Sequence, residues 1–277
     1  MQTSVSTHTA ITEVAPKMTL VTLLSLLTVA VLWIALDAWL WGLPFALLFI
    51  YAVTLEPPRR RKLYLALAAP LLLLSFAPIS TDTSAFGFLY LGACFLWALV
   101  LPTWLTRDET PNPVTFAFWP ERLEPLEIFY VLLSIPLAWA VFRLYFGVLS
   151  PEVPLNWTLP PEPDGGELLR LFVGINLVGV WDELFFINIG YALLRELFPA
   201  RTANFAQAVV YTSVLYAMAF RGFGPVFVYL FALTQGAMYE RSKVLLWVLL
   251  VHLIVDYFLF QEIVTAYYPD FSVWWHP

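Results

Sequence analysis

The sequence predicts an all-α bundle of membrane-spanning helices, and three observations predict it. Hydrophobic residues make up 61% of the 277-residue chain and charged residues 12%, where an average soluble domain carries about a quarter charged. The apolar residues form continuous runs of the length that a bilayer crossing needs, about 20 residues. They lack the period of two that a transmembrane β-barrel requires. The basic residues gather in alternate connections between the runs, as the bias of Lys and Arg toward cytoplasmic loops demands.

In order, the runs are 18–36, 39–55, 63–79, 85–105, 125–147, 167–195, 202–220, 224–241 and 243–262. The run after Lys17 outlasts the 7–15 residues of a signal-peptide core, so it reads as a retained first span. Asp37 and Gly42–Pro44 mark either a turn or a kink between the first two runs, which sets the count at nine or eight. With the N-terminus in the cytoplasm, the inner connections hold Lys17, Arg59, Arg60, Arg61, Lys62, Arg107, Arg122, Arg195, Arg201, Arg241 and Lys243. The outer side holds Arg143, Arg170 and Arg221. Eleven against three is a strong asymmetry, which makes Arg59–Lys62 a topology signal; the expected location is a bacterial inner membrane. No basic tail or cluster argues for nucleic acid. The expected partners are the lipid bilayer and other membrane proteins.

Five stretches follow: a polar tail (1–17), N-terminal helices (18–148), a Pro-rich outer loop (149–166), a C-terminal core (167–262) and a short tail (263–277). The outer loop, Ser150–Glu167, is acidic and reads as irregular chain with no fold of its own. The inner loop Arg107–Glu124 mixes charge with Phe and Trp, which suits the headgroup region. Trp39, Trp41, Trp97, Trp104, Trp274 and Trp275 near run ends fit aromatic belts. The single cysteine, Cys94, excludes an intrachain disulfide and reads as a small buried filler.

Chemistry enters where charge interrupts the last runs. Asp182 and Glu183 break one, and His252 and Asp256 break another. One such charge at a helix centre costs roughly 2.5–3.5 kcal/mol on insertion scales, so the groups either pair inside the protein or act. Asn176, Gly179, Glu183 and Gly190 fall on one helical face, with Asp182 about 100° around from Glu183 and therefore aimed at a different atom. His252 and Asp256, four apart, stack on one face, as do Gln235 and Tyr239 on the preceding helix. Such a set can activate water with a glutamate as general base, bind a metal, relay protons, or lock helices together.

WDELFFIN (Trp181–Asn188), YAMAF (Tyr216–Phe220) and HLIVD (His252–Asp256), in that order, resemble the CAAX protease and bacteriocin-processing (CPBP or Abi) family of intramembrane proteases. That family carries EExxxR, FxxxH and HxxxN or HxxxD on successive helices. The resemblance covers roughly residues 167–262 and implies a water-activating glutamate, a divalent metal such as zinc as cofactor, and a membrane-anchored protein substrate. Carried over, it makes Glu183, Asp182, His252 and Asp256 the catalytic candidates, with His252 and Glu183 as metal ligands. It also implies damage: the motif arginine falls on Ile187 and the second-motif histidine on Phe220. Asp182 replaces a glutamate, about 1.5 Å short by bond lengths, and misplacement near 1 Å can cost about 100-fold.

Two expectations follow from the resemblance. One is a catalytically impaired relative, a pseudoenzyme serving as a binding or assembly subunit of a membrane complex. The other is an active glutamate- and histidine-dependent intramembrane protease. A proton or ion carrier is a weaker third, since no inverted repeat accompanies the charges. Asn188 and Tyr216 read as interhelical hydrogen-bonding groups.

Overall fold

Nine helical rods occupy the nine apolar runs of the computed structural model, which describes residues 17–82 and 84–271. His8, Trp274, Trp275 and His276 lie outside the described residues. The rods are α1 (Lys17–Val29, continued by a π-helical turn Ala30–Ala35), α2 (Trp39–Leu55), α3 (Pro58–Phe76), α4 (Ala85–Thr106) and α5 (Pro125–Leu144, continued by a π turn Tyr145–Leu149). A single long rod then joins α6 (Gly165–Asp182), a π segment (Glu183–Gly190) and α7 (Tyr191–Leu197). The last three are α8 (Ala200–Met218), α9 (Gly224–Ser242) and α10 (Leu245–Tyr267). Four rods, Ala85–Thr106, Pro125–Leu149, Gly165–Leu197 and Leu245–Tyr267, are long and apolar enough to cross a bilayer. Among the described residues the only extended pairing is an isolated bridge between Asp82 and Thr158.

The choice between eight and nine rods is made at Asp37. Its φ of 50° is a left-handed conformation that Asp tolerates better than most residues. Its Oδ1 accepts from Trp39 Nε1 at 2.7 Å, and the Trp33 and Trp39 rings stack at 4.8 Å. Gly42 and Pro44 sit inside α2, not at the turn. Gly42 is needed there, because a Cβ would stand 2.1 Å from Trp33 Nε1.

Trp41, Trp97 and Trp104 point outward with the other large apolar side chains of α2 and α4, as lipid-facing positions do. Cys94 is half-buried. The centre is the α6–α7 rod, where Glu183, Phe185, Phe186, Ile187, Asn188 and Ile189 are all buried. A helix buried all round has neighbours on every side, and here they include α4, α8, α9 and α10.

Two connections do more than link. The segment between α4 and α5 tucks Val114 into the core. The carbonyls of Ala117 and Phe118 accept from Leu245 N–H (2.8 Å) and Leu246 N–H (3.2 Å). These are first-turn donors of α10 that have no partner within a helix, and no side chain caps that end. The segment works as a strap across the bundle, with Phe116, Phe118 and Trp119 on its exposed side.

Glu109 pins the strap to α3 through Lys62 (2.9 Å) and Arg59 (3.4 Å). The Lys62 hydrogen bond holds the Glu109 carboxyl below its ordinary range. A depressed acid stabilises above its unfolded value, about 4.3 for Glu, and the contribution is lost as pH falls through the lower folded value. Nicking of the strap by an acid protease should therefore rise only below about pH 4.

The outer loop also has more structure than its composition suggests. It makes a 3-10 turn at Pro154–Asn156 and buries Val153 and Trp157. Its Leu155 and Pro160 carbonyls accept from Tyr267 and Tyr268 of the α10 end, at 2.8 and 2.6 Å, and Trp157 O also accepts from Tyr267. The apolar residues between the prolines give the loop an inner face. Trp157→Ala should cost about 3 kcal/mol, the low end for deleting a buried Trp, read as a lower midpoint on thermal unfolding in detergent.

Candidate functional site

The four charged residues that interrupt the apolar runs converge on one imidazole. His252 enters from α10, with its Nδ1 2.7 Å from Glu183 Oε1. On the opposite edge, Nε2 lies 3.5 Å from Asp256 Oδ1 and 3.8 Å from Asp182 Oδ2, beyond hydrogen-bond reach. All four side chains are almost wholly buried, Glu183 completely so. Asp182 and Glu183 do reach different atoms, as their 100° separation requires. The atoms belong to one ring, because an imidazole offers two nitrogens and the helix can straddle it.

Local sequence explains the approach of α6 to α10. Gly179 faces His252 and Asp256, and a Cβ there would sit 2.0 Å from Asp256 Oδ2 and 2.8 Å from His252 Cδ2. Small residues let helices touch in this way. Glu183 begins the π segment, and such wider turns recur at functional sites. Aromatic packing holds the rod in place: Trp181 stacks on Phe95 at 4.0 Å and on Phe185 at 4.9 Å, and its Nε1 donates to Phe95 O.

One residue of the cluster, Tyr211, has no motif in the sequence to mark it. Tyr211 of α8 is fully buried, with its hydroxyl 3.2 Å from His252 Nδ1. Gln235, a polar residue that shares a face with Tyr239, joins the cluster as well. Its Nε2 donates to Glu183 Oε1 and to Val248 O, both at 3.0 Å, and its Oε1 accepts from Tyr130 at 2.7 Å. The available signal was spacing, since Gln207 and Tyr211 stand four apart on α8 and share its inner face. The other expectations fall as follows. Asn188 accepts from Tyr239 at 2.5 Å, an interhelical hydrogen bond. Tyr216 lies under the Arg221 guanidinium at 4.1 Å. Asn176 turns back to Phe172 O and stays outside the cluster. Phe220 lies past the end of α8, two residues beyond its last helical residue.

Beside the cluster runs a cavity of about 660 Å³ between α4, α5, α6, α8, α9 and α10, a size that suits a small ligand or chain. Its walls are mostly apolar, among them Phe88, Leu133, Ala138, Phe227 and Phe231, and Trp157 and Arg170 stand toward the outer loop. Asp182, His252, Asp256, Tyr130 and Thr234 supply its polar wall, and Phe220 lines it too. Glu183 does not reach the cavity and backs His252 from behind. Asp182 Oδ1 and Asp256 Oδ2 have no hydrogen-bond partner among the described residues, so the wall can accept from donors on a ligand or water.

A resident metal does not fit this donor set. Glu183 and His252, the pair named for it, are bonded to each other at 2.7 Å. Two ligands about 2.1 Å from a tetrahedral zinc would instead stand roughly 3.4 Å apart. No three His, Cys, Asp or Glu side chains among the described residues are arranged to hold an ion. The chemistry open to the cluster is proton exchange at His252 Nε2, with Glu183 orienting the ring through Nδ1.

Residues 164–258 match the family of type II CAAX prenyl endopeptidases described as Rce1-like. The match spans α6 to α10 up to Phe258 and includes all four charged residues. No match was found among curated proteins or among solved structures.

Proposed function

Starting from an Rce1-like domain within an integral-membrane helical bundle, we propose that this protein holds the lipid-modified tail of a membrane-anchored partner while peptide cleavage is impaired. In this reading it is a binding or assembly subunit of a bacterial inner-membrane complex, with its N-terminus in the cytoplasm. The observation that carries the proposal is the cavity wall. Phe220 lines it at the position where the resemblance puts a second histidine, and Ile187, at the motif arginine, is wholly buried away from it.

A tetrahedral intermediate formed beside His252 would find no cationic donor. Losing one such donor costs roughly 100- to 1,000-fold in rate. Binding needs neither residue, because an alkyl or prenyl chain asks only for apolar wall, and the cavity supplies it.

One observation favours the active alternative. The Glu183–His252 contact has the geometry of a base held by its orienting group. His252 Nε2 would take a proton from water, the hydroxide would attack the peptide carbonyl carbon, and the proton would pass to the leaving amine as the C–N bond breaks. Carriage of protons has no comparable support in the geometry, since the cluster opens onto an apolar cavity.

The test incubates the purified protein, in nanodiscs, with a fluorescent prenylated peptide. The expected result is binding of an intact peptide, with binding lost in Ala138→Trp, which fills the cavity. Cleavage that disappears in Glu183→Gln and His252→Gln would establish the active alternative. Equal binding of the same peptide without its prenyl group would overturn both.

A further inference from the structure

We propose that Gln235 is a positioning residue that fixes the tautomer of His252, holding the proton on Nδ1 against Glu183 and leaving Nε2 to the cavity. The inference deepens the reading of His252 as the cavity-facing group and rests on it. An amide has a donor end and an acceptor end, and its orientation follows from its partners. At Gln235 one partner admits a single answer. Val248 O is a backbone carbonyl and can only accept, so the NH2 end faces it at 3.0 Å.

The rest of the chain follows. The second N–H of that end falls on Glu183 Oε1, also at 3.0 Å. The carbonyl end faces Tyr130, whose hydroxyl donates at 2.7 Å. Tyr130 has a second neighbour in Thr234 Oγ1 at 3.0 Å, but the Thr234 hydroxyl donates to Phe231 O, so Thr234 offers Tyr130 only an acceptor. Glu183 Oε1, receiving an N–H from Gln235, is thereby set as an acceptor toward His252 Nδ1 at 2.7 Å. Tyr211 completes the ring's surroundings, with its hydroxyl oxygen 3.2 Å from Nδ1, where it can accept from the same N–H.

The path begins and ends on the cavity wall, at Tyr130 and at His252. A ligand that takes the Tyr130 hydroxyl as its own hydrogen-bond partner therefore draws on the same chain that holds the imidazole. Gln235 itself is wholly buried and touches no ligand, which makes its role one of arrangement.

The spectrum of one residue tests this. The chain has three histidines, His8, His252 and His276, and His252→Asn identifies the middle one in 15N-histidine spectra of the full-length protein. The expected wild-type signal is a single Nδ1–H tautomer. Gln235→Leu should convert it to a mixture or to the Nε2–H form. Gln235→Glu, which keeps the shape but loses the NH2 end, should do the same, so a misfolded leucine variant does not end the test. Tyr130→Phe should keep the tautomer, since Val248 still orients the amide. A His252 spectrum unchanged in both Gln235 variants, or an Nε2–H wild type, overturns the proposal. Because no substrate is present, failure of the peptide-binding test leaves this outcome readable on its own.

Discussion

Glu183→Ala is expected to remove about 3 kcal/mol or more of stability, a large share of the 5–15 kcal/mol that typically separates folded from unfolded protein. The substitution deletes two hydrogen bonds at once, from His252 Nδ1 and Gln235 Nε2. It also leaves one N–H of Gln235 buried without an acceptor and His252 Nδ1 with only the Tyr211 hydroxyl at 3.2 Å, and an unmet buried donor costs about 1–3 kcal/mol. Interhelical hydrogen bonds in membranes average nearer 0.6 kcal/mol, because the inserted but unpacked helices find other partners. Glu183 differs because it is enclosed by protein on all sides. Unfolding in mild detergent, followed by near-UV circular dichroism, reads the change. Glu183→Gln, which keeps an acceptor in place, should lose less than half as much. Equal losses in the two variants would mean that packing, and not hydrogen bonding, sets the value of this position.

Gly179→Leu is expected to separate α6 from α10 and dismantle the site without touching any polar atom. Even the first carbon of a side chain would stand 2.0 Å from Asp256 Oδ2. The obstacle is a carboxylate held on a packed helix, and a leucine adds three more carbons behind it. Overpacking of this kind costs about 1–3 kcal/mol for modest insertions and more for large ones. The expected readouts are a lower unfolding midpoint and loss of the His252 signal position. Gly92→Leu is the control, since nothing lies within 4 Å of a Cβ there, and it should be neutral. A tolerated leucine at 179 would show that the two helices do not meet where the cluster is drawn.

The rods were legible because length and apolarity are local properties, and each rod overlaps its predicted run. The shared partner of Asp182 and Glu183 was not legible. Helical spacing gives the angle between two side chains, but a ring with two nitrogens, arriving from a span 70 residues later, accepts both. Tyr211 was passed over because a tyrosine in an apolar run reads as core, and only its depth beside His252 gives it another part. Gln235 was placed on the right face, and its tie to Glu183 needed the third dimension. The two connections make contacts that composition does not announce. Val114, Val153 and Trp157 turn inward, and no helical or strand period marks them for it.

The strap formed by Ala117 and Phe118 sets an order in time. A ribosome delivers those carbonyls about 130 residues before the α10 amides that bond to them. At about 5–20 residues per second this is a wait of roughly 6–25 s. When it begins the first four rods are already made, while the helix that brings His252 has not yet been synthesised. The charges on α6 therefore emerge into an unfinished bundle and gain their partner only when the final helix docks beneath the strap. Birth order thus leaves the charged cluster incomplete until α10 has been made.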